Sequence, residues 1–210
     1  QFSNINITQW HRNGVLHRDE DLPAMIYKKG EDDYYKSFYK DGKLHRDRDL
    51  PAQEGIFCGD FYQKYFKHGL LHRDGDKPAV VGAEIAYYEN GLLHRDRDKD
   101  SRIYLGTIEW YHHGKLHRDG DQPAIEHRTG DKEWRQHGIR YRDGDKPSFV
   151  GSDGTKSWSN KLGQLHRDND KPAIEYGNGD LMWYQNNKLH RDNDQPAIIS
   201  DNGTRHVWCQ

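Results

Sequence analysis

Apolar residues along this chain come in short alternating runs rather than at helical spacing. In AIEHRTGDKEW (124–134), AIEYGNGDLMW (173–183) and AIISDNGTRHVW (197–208), β-compatible residues flank a Thr-Gly, Asn-Gly or similar pair. Such a pair between alternating arms predicts a tight hairpin, and helix is expected to be almost absent. A second turn follows the aromatic that ends each run, at Asn13-Gly14, Asp41-Gly42, Asn90-Gly91 and His113-Gly114, with Asn187 serving later in the chain. Glycine and asparagine reach positive φ at little steric cost, so these turns send the chain back into a Leu-His-Arg segment. An Asp- and Pro-rich stretch then closes the module, because it cannot continue a central strand.

The module recurs. Units of the form Leu-His-Arg-Asp-x-Asp-x-Pro-Ala lie at 16–24, 44–52, 71–79, 93–101, 116–124, 140–148, 165–173 and 189–197, 22 to 28 residues apart. The fourth has Asp100-Ser101 for Pro-Ala, and the sixth has Arg140-Tyr141 for Leu-His and Ser148 for Ala. One hairpin alone is marginally stable, but stacked hairpins bury a continuous stripe. The expected fold is therefore all-β, an elongated repeat array, meander or solenoid, of about eight antiparallel hairpin units in a single repeat domain over residues 1–210.

Composition agrees with a thin core. Only 32% of residues are hydrophobic and 31% are charged, yet six Trp, thirteen Tyr and six Phe can each bury a large area. Lead aromatics recur at Trp10, Phe38, Tyr65, Tyr87, Trp110, Trp134, Trp158, Trp183 and Trp208, with Trp158 one residue out of register. They are expected to form a packed ladder. A second aromatic follows at Tyr39, Phe66, Tyr88, Tyr111 and Tyr184. In a strand these five point to the opposite face, where core packing is the first expectation and an exposed stacking platform for sugar rings or bases the alternative.

The aromatic-Tyr-x-x-Gly-x-Leu pattern of WYHHGKLHRDG and YYENGLLHRDR, at a period near 23, resembles the variant MORN (membrane occupation and recognition nexus) repeats across nearly the whole chain. The constant His-Arg-Asp-x-Asp-x-Pro-Ala block marks it as similar to a divergent branch found in phages and large DNA viruses. The resemblance implies a row of β-hairpins and a role in scaffolding or partner binding.

Charge narrows the function classes. Thirty-two basic residues are interspersed with 34 acidic ones, for a net charge of −2, so no broad field draws nucleic acid or anionic lipid. No apolar run approaches the ~18 residues of a membrane span, and no signal-peptide core opens the chain. The chain is expected to be soluble, secreted or particle-associated. Cys58 and Cys209 are expected as isolated thiols, and Asn6-Ile7-Thr8 and Asn202-Gly203-Thr204 are glycan sequons.

The recurring His-Arg-Asp matches a kinase triplet, but the accompanying Asn, Gly-rich loop and DFG segment are missing. A catalytic site needs one asymmetric constellation, whereas this motif is repeated in every unit. No enzyme is expected. The invariant charges are Arg18, Asp19, Asp21; Arg46, Asp47, Asp49; Arg73, Asp74, Asp76; Arg95, Asp96, Asp98; Arg118, Asp119, Asp121; Arg142, Asp143, Asp145; Arg167, Asp168, Asp170; and Arg191, Asp192, Asp194. If the motif is extended, His117, Asp119 and Asp121 share one face and successive units stack carboxylate on carboxylate. Like charges opposite one another destabilise, so a cation must interleave. The first candidate is the arginine itself, forking between aspartates of its own and the adjacent unit as a structural ladder. The second is calcium at the Asp pairs, although EF-hand spacing fails even at Asp96-Arg97-Asp98-Lys99-Asp100. Zinc through the seven motif histidines is weaker, since Tyr141 breaks the series. No cofactor is required. A protein partner or self-association through exposed hairpin edges is expected, with a glycan as the rival ligand.

Overall fold

The computed structural model describes residues 5–30, 33–200 and 203–208. Every regular element among them is a β-strand, and the chain divides into two compact units, Gln1–Leu105 and Gly106–Gln210. No helix of the described residues is long and apolar enough to cross a membrane.

In the first unit the main sheet runs Ile5–Gln9, Met25–Lys29, Asp33–Ser37, Gln53–Phe57, Asp60–Lys64, Val80–Val81, Glu84–Ala86 and Arg102–Tyr104, each strand antiparallel to the next. The second unit repeats the meander with Thr107–Glu109, Ile125–Glu126, Lys132–Glu133, Phe149–Val150, Lys156–Ser157, Ile174–Glu175, Leu181–Met182, Ile198–Ser200 and Arg205–Val207. Each repeat thus contributes two main strands. The arms shorten along the chain: five residues at Met25–Lys29 and Asp33–Ser37, but two at Ile125–Glu126 and Lys132–Glu133, because His127 to Asp131 are taken up by the turn.

Between main hairpins the chain makes a two-residue side hairpin, such as Tyr39–Lys40 with Lys43–Leu44 or Tyr111–His112 with Lys115–Leu116. Its turn has both central residues at positive φ, Asp41 at 49° and Gly42 at 75°, the geometry that matches strand twist. His68-Gly69 and His137-Gly138 build the same turn. In the seventh repeat a single Ser159–Leu165 bridge replaces this hairpin. The extra residue there is absorbed in the Asn160–Gln164 loop. Trp158 itself keeps the ladder's bonds: its N–H donates to Ala173 and its carbonyl accepts from His166, the same pair of bonds that the lead aromatics from Trp10 to Trp183 make in the other seven repeats. The register offset in sequence therefore lies after the tryptophan.

The core of each unit is thin. Phe38 and Tyr65 in the first and Trp110, Trp134, Trp158 and Trp183 in the second are buried, and the alanines of the Pro-Ala pairs are completely enclosed. Each such alanine accepts from a lead aromatic N–H, for example Phe38 to Ala52 at 2.7 Å. Backbone pairing on a closed face leaves room for a methyl group and little more. Serine fits where alanine is missing, and Ser101 and Ser148 are equally enclosed.

Candidate functional site: the connectors between repeats

The Leu-His-Arg-Asp-x-Asp-x-Pro segment is not the extended strand the sequence suggests. Only its leucine belongs to a strand, and the residue between the aspartates and the second aspartate are both left-handed, as at Gly120 (72°) and Asp121 (58°) or Arg48 (61°) and Asp49 (56°). Two consecutive left-handed residues fold the connector into a tight loop. Aspartate tolerates that conformation because its short side chain can bond locally, whereas glutamate loses the advantage. A column of stacked carboxylates therefore does not form, and the two aspartates of a motif meet different partners.

The second aspartate receives the arginine of the following repeat. Arg46 forks onto Asp21 (Nε 2.7 Å, Nη2 3.0 Å), Arg73 onto Asp49 (2.7 and 3.2 Å), Arg142 onto Asp121 (2.6 and 3.1 Å), Arg167 onto Asp145 (2.7 and 3.4 Å) and Arg191 onto Asp170 (2.8 and 2.8 Å). Arg95 reaches Asp76 at 2.7 Å through Nε. Within its own repeat the arginine's Nη1 donates to the carbonyl five residues on, Pro51 for Arg46 (3.3 Å), Pro123 for Arg118 (3.3 Å), Asp100 for Arg95 (3.0 Å). The expected fork to both units is thus a fork to one unit and a carbonyl bond in the other.

Beneath each guanidinium lies its own repeat's lead aromatic. The eight motif arginines, Arg18 on Trp10 through Arg191 on Trp183, sit 3.6–4.0 Å from the ring centres. Sequence reasoning missed this sandwich, although the constant spacing of eight residues from aromatic to arginine in seven units is its signal. It also missed the pre-proline lysines. Lys77, Lys146 and Lys171 add a second cation to Asp49, Asp121 and Asp145 at 2.6–2.7 Å, and Lys99 does so to Asp76. Arginine and lysine together hold the carboxyls of Asp49, Asp76 and Asp145 down at about 2, with the arginine hydrogen bond the larger cause. Asp121 is lowered for the same reasons, and Arg46 and Arg191 lower Asp21 and Asp170. Asp194 offers its carbonyl to the Trp208 indole N–H at 3.2 Å, as Asp121, Asp145 and Asp170 do to Trp134, Trp158 and Trp183.

The first aspartate pairs with the histidine two residues before it, at 2.8–3.2 Å for His17–Asp19, His45–Asp47, His72–Asp74, His94–Asp96, His117–Asp119, His166–Asp168 and His190–Asp192. In four of them the opposite ring nitrogen accepts a backbone N–H from the next side hairpin, Asp41 at 2.9 Å on His17, His68 at 3.3 Å on His45, Asn90 at 3.1 Å on His72 and His137 at 3.4 Å on His117, whereas the buried His166 Nδ1 has no partner among the described residues. In these four rings Nδ1 thus acts as the acceptor, which leaves Nε2 to donate to the aspartate. The hydrogen bond from His17 lowers Asp19, and that from His72, joined by Lys67, lowers Asp74. In the sixth repeat the Tyr141 hydroxyl donates to Asp143 at 2.7 Å in place of histidine.

Successive connectors enclose clefts. In the first unit these measure about 250, 380 and 410 Å³ and are lined by Tyr39, Phe66 and Tyr88 respectively. In the second, clefts of about 310 and 510 Å³ hold Trp158 and Tyr184. The second aromatics are half-buried rather than an open platform, and burial raises the phenols of Tyr39 and Tyr88. Tyr111 is likewise half-buried, opposite Leu116 in its side hairpin. Elsewhere, Cys58 is an exposed free thiol, Asn6 is exposed on the strand Ile5–Gln9, and Cys209 and Asn202 lie outside the described residues. Compared with known proteins, the chain matches no protein-family model, and no curated protein matches it.

Proposed function

We propose that this chain is a non-enzymatic repeat scaffold, a divergent MORN-variant array that presents its connectors to a protein partner or to further copies of itself within a larger assembly. The observation that carries this reading is how the two divergent repeats behave. The fourth lacks Pro-Ala yet Arg95 bonds the Asp100 carbonyl and Ser101 fills the alanine pocket. The sixth lacks histidine yet Tyr141 holds Asp143, and Ser148 fills the pocket. Both departures rebuild the same joint with other atoms, which is what a structural role requires and a catalytic one does not.

Light scattering of the purified chain across a dilution series tests the assembly half of this reading. A mass above the monomer that falls on dilution is expected. A monomer at every concentration removes self-association. The carbohydrate-binding alternative draws on the aromatic residues in the clefts, and a glycan array without a single bound sugar would dismiss it.

A further inference from the structure

We infer that the three clefts of the first unit form a row of equivalent subsites for an extended proline-rich segment in the polyproline II conformation. This rests on the partner-binding reading above and names the partner's chemistry.

Each cleft offers the same two things. The first is an aromatic side chain, Tyr39, Phe66 or Tyr88, half-buried between two connectors. The second is hydrogen-bond donors. Most carboxylates on the walls are already engaged, such as Asp49 by Arg73 and Lys77, Asp74 by His72 and Lys67, and Asp76 by Arg95 and Lys99. Arg48 and Arg97, by contrast, are exposed on the left-handed position of their loops and make no ion pair among the described residues. An incoming chain therefore meets ring faces and cationic donors, and few unengaged acceptors. A polyproline II helix is the complement of that surface: it has no internal hydrogen bonds, all its carbonyls are open to donors, and proline brings no N–H in need of an acceptor. Aromatic-lined grooves are the usual receptors for such chains.

Spacing selects the same ligand. Every repeat inserts two strands into the main sheet, Gln53–Phe57 with Asp60–Lys64 for example, so the subsites recur about every 9.6 Å at the ~4.8 Å strand separation. Polyproline II rises about 3.1 Å per residue with three residues per turn, so the same edge returns every ~9.3 Å. An extended β-chain covers about 9.9 Å in three residues, but its side chains alternate with period two. Successive clefts would then meet opposite faces.

The probe is decaproline, long enough to cross all three clefts, titrated against the full chain by calorimetry beside triproline, which fills one. Decaproline is expected to bind at least about tenfold more tightly than triproline, since linked subsites act together. Y39A/F66A/Y88A should abolish binding. Because removing three rings can unsettle the fold, R48N/R97N is the second variant. Asparagine already occupies that left-handed position at Asn169 and Asn193, and the change should weaken decaproline about fivefold through lost donors. The proposal falls if decaproline does not bind, if length brings no gain, or if R48N/R97N binds as the parent does. Saturation by maltohexaose with no response to decaproline would overturn it in favour of the glycan alternative. None of these outcomes alters the light-scattering result, so the scaffold reading stands or falls separately.

Discussion

A motif arginine carries more than charge. Arg142 lies 4.0 Å above the Trp134 ring, forks onto Asp121 and donates to the Pro147 carbonyl at 3.4 Å, with its side chain only 17% exposed. A lysine ammonium can satisfy one of these partners at a time, because it is a compact point charge without a planar face. Arg142→Lys is therefore expected to cost about 1–2 kcal/mol in a denaturant melt, discounted because Asp121 is itself 42% exposed. A variant with an unchanged midpoint would show that the stacked fork contributes nothing. On the other side of the pair, Asp121 holds φ at 58°, where a β-branched side chain is strained. Asp121→Val should be less stable than Asp121→Asn by a further ~1–2 kcal/mol, since both lose the charge and only valine also strains the backbone. Equal losses would mean that the loop's conformation places no demand on this position.

At the scale of the element, four junctions have two bonds side by side: a backbone pair, as Gly91 N–H to the Leu71 carbonyl at 2.8 Å, and an imidazole link, as Asn90 N–H to His72 Nδ1 at 3.1 Å. His72→Ala removes only the second. Hydrogen exchange should then quicken at the Asn90 amide and stay slow at Gly91, with about 1 kcal/mol lost overall. Equal protection of Asn90 in variant and parent would deny the imidazole its role. Much of this architecture was legible in the sequence. The hairpins and their Asn-Gly and Asp-Gly turns follow from alternation and turn chemistry. The connector admits an extended course from sequence, because no hydrophobic pattern in the polar His-Arg-Asp-x-Asp stretch fixes its conformation. The contrary signal was present: Gly75, Gly120, Gly144, Asn169 and Asn193 occupy the position between the aspartates, and these residue types tolerate positive φ best. The contact between an aromatic and the arginine eight residues later left its signal in that constant spacing, but strand alternation does not reveal it, because it forms only once the side hairpin has folded back.

On the scale of the whole molecule, the repeated carboxylates decide how the chain responds to its solvent. Both oxygens of Asp49 and of Asp145 already take bonds from an arginine and a lysine, so a divalent cation would have to displace them. A melting curve with chelator is therefore expected to overlay the one without it, and a midpoint that drops with chelator would revive the calcium hypothesis. Acid acts differently. The carboxyls of Asp49, Asp76 and Asp145 titrate at about 2 in the folded chain and near the ordinary aspartate value of ~3.9 once unfolded. A depressed carboxyl stabilises the fold fully above the unfolded value, and that contribution is lost as pH falls through the folded one. Each pair is 40–44% exposed on the aspartate side, so solvent screening leaves on the order of 1 kcal/mol apiece. Stability measured by denaturant melts should thus be level from neutrality to about pH 4 and decline steeply from there to about pH 2. Asp145→Asn, which has no proton to gain, should shallow that decline while lowering the plateau. If the parent chain were as stable at pH 2 as at pH 7, the arginine and lysine partners would be spectators, and the joint between repeats would rest on the aromatic column and the backbone bonds alone.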